Sequence, residues 1–306
     1  MRIMDLKNNV HAAFSIALIV LIAILMISAS SVVVLMYQGG QSEKSSSIKT
    51  AKTGDLVKVD YVGKLADGRV FDTSLWSVAS NGALYPKSLS FTLRNQTAYE
   101  PLEFYVGSGV MIRGFDRGVI GMAVGETKVL TVLPQDGYGQ MNQSKLKTSS
   151  LVETLPVIEN LNVSVFMSEF SVTPMNGLTV ADPFWGWDVT VLDVDYDADR
   201  VVIMNSPVLD ASYAVYGDPQ GEAETGWYAV VDQYDSSANG GAGLIEVRHL
   251  LSSDDAGYVK GVDSSGDEFI VKEVDAESNK LVLNYNSEVT GVTLYFTVTL
   301  VSIGST

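Results

Sequence analysis

Hydrophobic and polar positions follow their clearest pattern between Glu100 and Gly139. Apolar side chains alternate with polar ones from 100 to 106, which is the period of a half-buried strand. Between Ile112 and Met122 they recur at spacings of three and four, which places them on one helical face. Alternation returns from 127 to 133 and ends before a proline. The pattern predicts a short helix that lies on an antiparallel sheet.

The residues before this stretch predict one more strand and a long loop. Val57, Val59 and Tyr61 alternate with polar residues, and the segment 66–69 has the composition of a turn. Between 73 and 101 few positions are periodic, so we expect an enlarged loop with one short strand near 89–93.

Four blocks of sequence, at 59–74, 106–126, 133–140 and 293–303, together resemble the FKBP-type peptidyl-prolyl cis-trans isomerases. The resemblance implies an α+β fold, in which an antiparallel half-barrel is wrapped on a short helix. It assigns 54–140 plus 291–306 to one isomerase-like domain, which the segment 141–290 interrupts.

The chemistry that this resemblance implies needs neither a nucleophile nor a cofactor. Rotation about an X-Pro bond faces a barrier of about 18–20 kcal/mol that is set by amide resonance, and no covalent bond is broken. An apolar, water-poor pocket favours the twisted amide. By resemblance, the catalytic residues are Tyr61, Phe71, Asp72, Ile112, Phe115, Tyr138 and Phe296, and the substrate-binding residues are Leu102 and Met111.

The resemblance also implies individual roles. Phe115 would form the pocket floor, the Ile112 amide and the Tyr138 hydroxyl would hold substrate carbonyls, and Asp72 would hydrogen-bond within the wall. Each role has a structural alternative: the phenylalanines can be ordinary core residues, Asp72 can cap a turn and Tyr138 can anchor a loop. Phe104 is expected in the core.

Three of these positions depart from the family's usual residues. Phe115 stands where tryptophan is most common, Leu102 where an aromatic residue is usual, and Met111 where a β-branched residue is usual. The changes keep the pocket apolar but alter its shape. We therefore expect isomerase activity and do not expect affinity for macrolide ligands.

The N-terminal region, 1–40, contains a predicted membrane anchor. Residues 12–37 include no charged side chain over 26 positions, which is long enough for a helix to cross a bilayer. A cleaved signal peptide is the alternative, with small residues at 28–30, but the apolar run continues beyond that site. We expect an uncleaved anchor in the cell membrane, an extracytoplasmic body, and a flexible linker at 41–53.

The interrupting segment, hereafter the insert (141–290), carries the chain's acidity. It holds 25 acidic and 7 basic residues, a net charge of −18, whereas 54–140 holds 9 acidic and 8 basic residues, a net charge of −1. So few basic residues argue against nucleic-acid binding. A solvated acidic face is the ordinary explanation, and recruitment of basic unfolded segments is the alternative.

A duplication at an offset of 80 positions relates 191–203 to 271–283, and both copies predict strand, turn, strand. The second copy resembles the chaperone domain that is inserted in the flap of long bacterial and archaeal members of the family. The insert is therefore predicted to be mostly β, with two lobes in tandem.

No metal site is predicted in the chain. Four alternating aspartates between 193 and 199 resemble the start of a calcium loop, but Ala198 and Met204 occupy positions that need glycine and glutamate. The only histidines are His11 and His249, and cysteine is absent, which excludes thiolate sites and disulfides.

Two functions remain open. The first is a membrane-tethered prolyl isomerase that assists the folding of exported or membrane proteins. It would act on unfolded or partly folded proteins with X-Pro bonds and hold them through the insert. The second is a non-catalytic binding module, in which the loop 73–101 would fill the pocket.

Overall fold

The computed structural model describes residues 48–217 and 225–304. The predicted anchor at 12–37 lies outside these residues and stays a prediction. Within the described ranges, no helix is long and apolar enough to cross a membrane.

The described residues are mostly β-strand. The strands are β1 (Leu56–Lys64), β2 (Val70–Thr73), β3 (Leu102–Tyr105), β4 (Thr127–Val132), β5 (Leu146–Ser149), β6 (Val152–Leu155), β7 (Ile158–Leu161), β8 (Thr179–Ala181), β9 (Asp188–Asp195), β10 (Arg200–Ser206), β11 (Ser212–Val215), β12 (Trp227–Asp235), β13 (Leu244–His249), β14 (Lys260–Val262), β15 (Glu268–Asp275), β16 (Lys280–Asn284) and β17 (Leu294–Ile303). The α-helices are α1 (Trp76–Ala79), α2 (Arg113–Val119) and α3 (Val163–Phe170), and single 3₁₀ turns lie at Gln96–Ala98, Pro134–Asp136, Gln143–Lys145, Asn239–Gly241 and Ser253–Asp255.

The first sheet has the antiparallel order β2-β1-β17-β4, and β3 pairs with the other end of β1. Helix α2 lies directly on β4, as the sequence pattern predicts. Its two internal glycines allow the close approach, because a Cβ at Gly114 would lie 2.6 Å from Val132 Cγ1 and one at Gly118 would lie 2.4 Å from Leu130 Cδ1. The buried side chains of this sheet and helix form one hydrophobic core.

The prediction of a short strand near 89–93 is wrong, because the backbone forms no strand there. The backbone amides of Leu89 and Ser90 donate to the Glu288 carboxylate, at 3.3 and 2.8 Å, instead of to a neighbouring strand. A side chain 199 positions away therefore satisfies this backbone, and local periodicity carries no trace of it.

The described part of the insert forms three four-stranded antiparallel sheets. Each contains three consecutive strands and one strand from the run β5 to β7. The orders are β8-β9-β10-β7, β11-β12-β13-β6 and β14-β15-β16-β5. The insert is thus built from three similar units.

The units repeat every 40 residues, which explains the offset of 80 in the sequence. Buried Val191, Val231 and Val271 occupy equivalent positions, and in each unit the next residue is an extra one that interrupts the pairing as a β-bulge. The middle unit does not match the other two over the whole hairpin, because its β12–β13 connection, 236–243, is longer than the turns 196–199 and 276–279.

Aspartates at the connections that follow β9, β12 and β15 have structural roles. Asp195, Asp235 and Asp275 each accept a hydrogen bond on Oδ1 from the amide two residues ahead, at 2.8–3.1 Å. Asp199 accepts from the amide of Val163, and Asp193 pairs with Arg200. Aspartate at the start of a tight turn satisfies backbone donors that the ladder leaves unpaired.

The prediction of two lobes is wrong, because the three sheets share one core. Their buried side chains, together with Phe166 of α3, form a single cluster. At its centre Trp185 stacks on Trp187 at 4.9 Å, and Trp227 donates through Nε1 to buried His249 Nδ1 at 3.0 Å. Each sheet has one apolar face, and the three faces cover one another.

The shared core leads to a stability prediction. Val191→Ala, Val231→Ala and Val271→Ala should each lower the free energy of unfolding by about 2 kcal/mol and should shift the same calorimetric transition. Val208→Ala is the matched control, because Val208 is 65% exposed. Separate transitions that respond to different substitutions would show independent lobes.

Candidate functional site

Five aromatic rings meet where β1, β2, β3, β17 and α2 converge. Phe115 and Phe296 lie 5.1 Å apart between ring centroids, and each contacts Tyr61, at 5.8 and 6.4 Å. Phe71 contacts Phe296 at 5.5 Å, and Phe104 contacts Phe115 at 6.0 Å. The fold thus brings together four of the predicted site residues, Tyr61, Phe71, Phe115 and Phe296, along with Phe104, which is expected in the core.

A glycine in β1 makes this convergence possible. A Cβ at Gly63 would lie 2.7 Å from Phe71 Cζ and 3.0 Å from Phe296 Cε1, which is closer than packed carbon atoms come. Strands β2 and β17 flank β1 and deliver these two rings over the position. Any larger residue would displace one ring of the cluster.

The carboxylate of Asp72 connects the aromatic cluster to the surface. The Tyr61 hydroxyl donates to Asp72 Oδ2 at 2.5 Å, and the Thr73 amide donates to Oδ1 at 2.8 Å. Burial, and then the hydrogen bond to Asp72, raise the pKa of Tyr61. The phenol therefore stays protonated at neutral pH and holds the carboxylate in a fixed orientation.

An open cleft of about 400 Å³ lies beside this pair. Its walls are Phe71, Asp72, Tyr138, three residues of the loop 73–101 (Ser90, Thr92 and Arg94) and three residues that precede β17 (Ser287, Val289 and Thr290). Tyr138 is half exposed, and burial followed by the negative charge of Asp72 raises its pKa. The Tyr138 hydroxyl is thus a protonated hydrogen-bond donor in the same cleft as the apolar ring of Phe71.

The remaining predicted residues surround the cluster at different depths. Phe115 is only 3% exposed, so it lies beneath the site. Ile112 precedes α2, and its amide donates no hydrogen bond to any described residue. Leu102 and Met111 are half-buried against the same core, although Met111 also lines a separate depression with Arg113 and Asp116. The binding roles of all nine residues stay predictions.

Arg94 is a site residue that sequence reasoning missed. Its Nη2 donates to Asp72 Oδ1 at 3.2 Å and to the Thr73 carbonyl at 2.8 Å, and its guanidinium lies 4.8 Å from the Tyr99 ring centroid. The loop 73–101 that carries it has no periodic pattern, so only its length marked it as unusual. The loop lines the cleft and leaves it open.

An ion pair between distant segments holds this loop in place. Besides binding the Leu89 and Ser90 amides, the Glu288 carboxylate lies 3.4 Å from Arg69 Nη1. The Arg69 guanidinium also lies 4.3 Å from the ring centroid of Tyr258, on the insert. Both charged side chains are nearly buried, at 12% and 7% exposure. The end of the insert, just before β17, therefore fixes one wall of the cleft through Glu288.

Comparison with known proteins agrees with this geometry. Residues 48–153 match the family described as FKBP-type peptidyl-prolyl cis-trans isomerase. The chain contains an FKBP-type domain. The matched range ends within the insert, but β17 lies between β1 and β4, so the FKBP-type domain also includes the chain's last described strand.

Two curated relatives show the extent of the similarity. The chain is 40% identical over 109 residues to a short-type peptidyl-prolyl cis-trans isomerase of Methanocaldococcus jannaschii, which covers 36% of this chain and 60% of the relative. It is 34% identical over 110 residues to FK506-binding protein 2 of Yarrowia lipolytica, with 35% and 62% covered. The chain thus spans about three fifths of each relative's length.

Among solved structures, a crystal structure of AtFKBP13 is 30% identical, covers 30% of this chain and 61% of that chain, and has a TM-score of 0.22.

Proposed function

We propose that this protein is a peptidyl-prolyl cis-trans isomerase whose active site is the cleft beside the Tyr61–Asp72 pair. The observation that carries the proposal is an aromatic cluster under an open cleft in an FKBP-type domain. The name of the Methanocaldococcus jannaschii relative, a short-type peptidyl-prolyl cis-trans isomerase, supports the same activity. The loop 73–101 does not fill the cleft, and this favours catalysis over a non-catalytic binding module.

The cleft residues suit the chemistry of amide rotation. The proline ring would rest against Phe71 above the buried Phe115 and Phe296, where water is scarce and the less polar twisted amide is favoured. By resemblance to the family, the Ile112 amide, which donates to no described residue, and the Tyr138 hydroxyl would hold carbonyls on either side of the rotating bond. The barrier falls because the pocket binds the twisted state more tightly than either planar isomer.

Substitutions in the site should separate catalysis from folding. Phe115→Ala and Tyr138→Ala should each lower kcat/KM for a proline-containing peptide about tenfold or more, because the first removes the ring that supports the cleft from beneath and the second removes a donor from its wall. Asp197→Ala, on an exposed turn of the insert, should leave it unchanged. The measurement is isomer exchange followed by NMR, with circular dichroism to verify folding.

Tyr138 is half exposed, so its variant should fold even where Phe115→Ala does not. No exchange above background in the folded wild-type protein would refute the enzymatic proposal and favour a non-catalytic binding module.

We further propose that the insert holds unfolded clients near the cleft. Its surface carries exposed apolar side chains, including Tyr228, Leu250 and Val208, on a body of strongly negative charge. A proline cleft alone contacts few residues, whereas a second contact raises the local concentration of the client. Negative charge keeps such apolar surface soluble.

Trimming the insert tests this holding role. Its two ends already meet, since the Asn142 amide donates to Asn286 Oδ1 and the Asn286 side chain donates to the Asn142 carbonyl, both at 3.0 Å. Removing 143–285 and joining Asn142 to Asn286 keeps Ser287 to Thr290 in the cleft wall. Isomerisation of a short peptide should stay within about threefold, whereas catalysed refolding of a proline-limited protein should fall about tenfold or more. Unchanged refolding would contradict the holding role.

We also propose that the protein is anchored in the cell membrane with its body outside the cytoplasm. The uncharged run 12–37 supports this proposal. After cell lysis, the full chain should sediment with membranes and require detergent for release, whereas a chain without 1–40 should stay in the supernatant. Recovery of the intact full chain in the supernatant would contradict an anchor.

A further inference from the structure

A large cleft lies on the insert and shares no lining residue with the proposed active site. Its volume is about 810 Å³, within the range of about 300–1,000 Å³ that is typical of ligand pockets. One connection from each of the three sheets contributes to its walls: Phe184 between β8 and β9, Tyr216 after β11, and Asp263 to Gly266 between β14 and β15. Helix α3 closes one side with Val165 and Glu169. The threefold repeat thus creates a single site where its parts converge.

Aromatic rings form the inner wall of this cleft. Phe184 and Tyr216 meet edge to face at 4.8 Å, and both are half-buried. Tyr216 rests in turn on Trp227 at 4.7 Å and Phe269 at 5.2 Å, within the insert's core. The wall is therefore rigid, and ring faces at its surface attract cations as well as apolar groups.

The charges that line the cleft are carboxylates. Glu169 and Asp263 are present, and no described lysine or arginine lines it. Glu169 makes no hydrogen bond or ion pair with any described residue, whereas Asp263 accepts from Tyr285 and lies 3.5 Å from Lys147 Nζ. Burial, and then the Asp182 and Glu159 carboxylates, raise the pKa of Glu169. An arriving cation would relieve this repulsion.

We propose that this cleft binds a lysine or arginine side chain that is flanked by apolar residues in an unfolded polypeptide. Aromatic faces and carboxylates together suit the aliphatic stem and the charged end of such a side chain. The net charge of −18 on the insert would draw basic segments toward it. The proposal rests on the proposed client-holding role and gives that role a location and a preference.

Peptides without proline test the site independently of the isomerase cleft. The probe is a fluorescent, unstructured peptide with lysine between leucines, and its partner carries norleucine, which has a similar stem without the charge. With the full chain in detergent, the lysine peptide should bind about tenfold more tightly. Glu169→Gln should weaken it about threefold to fivefold and leave norleucine binding unchanged.

A matched control separates this site from general attraction. Asp197→Asn removes one carboxylate from an exposed turn of the same insert and should leave both affinities unchanged. Phe184→Ala should weaken both peptides, and Val165→Ser serves the same purpose if the first variant does not fold. Equal binding of the lysine and norleucine peptides, or equal effects of Glu169→Gln and Asp197→Asn, would overturn the proposal.

Refolding of a proline-limited protein by the trimmed chain reports separately on the client-holding role, and isomerase assays on short proline peptides report on the proposed active site. Failure of one proposal is therefore distinguishable from failure of the other.

Discussion

The pairing of β17 between β1 and β4 is the constraint on which the rest of the structure depends. This strand completes the first sheet and delivers Phe296 to the aromatic cluster, yet it follows the insert in the chain. The insert must therefore begin and end at nearly the same place. Reciprocal hydrogen bonds between Asn142 and Asn286 close that gap and make a large insertion compatible with an intact sheet.

Glu288, which lies just before β17, joins the end of the insert to the FKBP-type domain electrostatically. Glu288 is nearly buried, and such a carboxylate is stable only when it is paired and hydrogen-bonded. Arg69 and the amides of Leu89 and Ser90 meet that need from two other parts of the chain. As a consequence, the enlarged loop lies along the cleft, where Arg94 reaches Asp72. The wall of the site is thus set by packing between insert and domain.

The insert's acidity and its threefold construction also belong together. Asp195, Asp235 and Asp275 end the equivalent strands β9, β12 and β15, and each accepts a backbone hydrogen bond from the connection that follows. Repetition then places carboxylates around a shared apolar core. The result is a negatively charged body whose surface clefts have aromatic walls, which differs chemically from the nearly neutral domain that it interrupts.

The sequence by itself determined the helix on the antiparallel sheet and the boundary where acidity begins, because periodicity and composition are local properties. The offset of 80 revealed the first and third units for the same reason. The aromatic residues of the cluster followed from the family resemblance of their sequence blocks. Tertiary structure alone decided the middle sheet of the insert, the single core and the position of the loop 73–101. The middle unit lacks a similar turn, shared burial depends on how three faces meet, and the pairing of Glu288 with Leu89 and Ser90 depends on side chains that only the fold brings together.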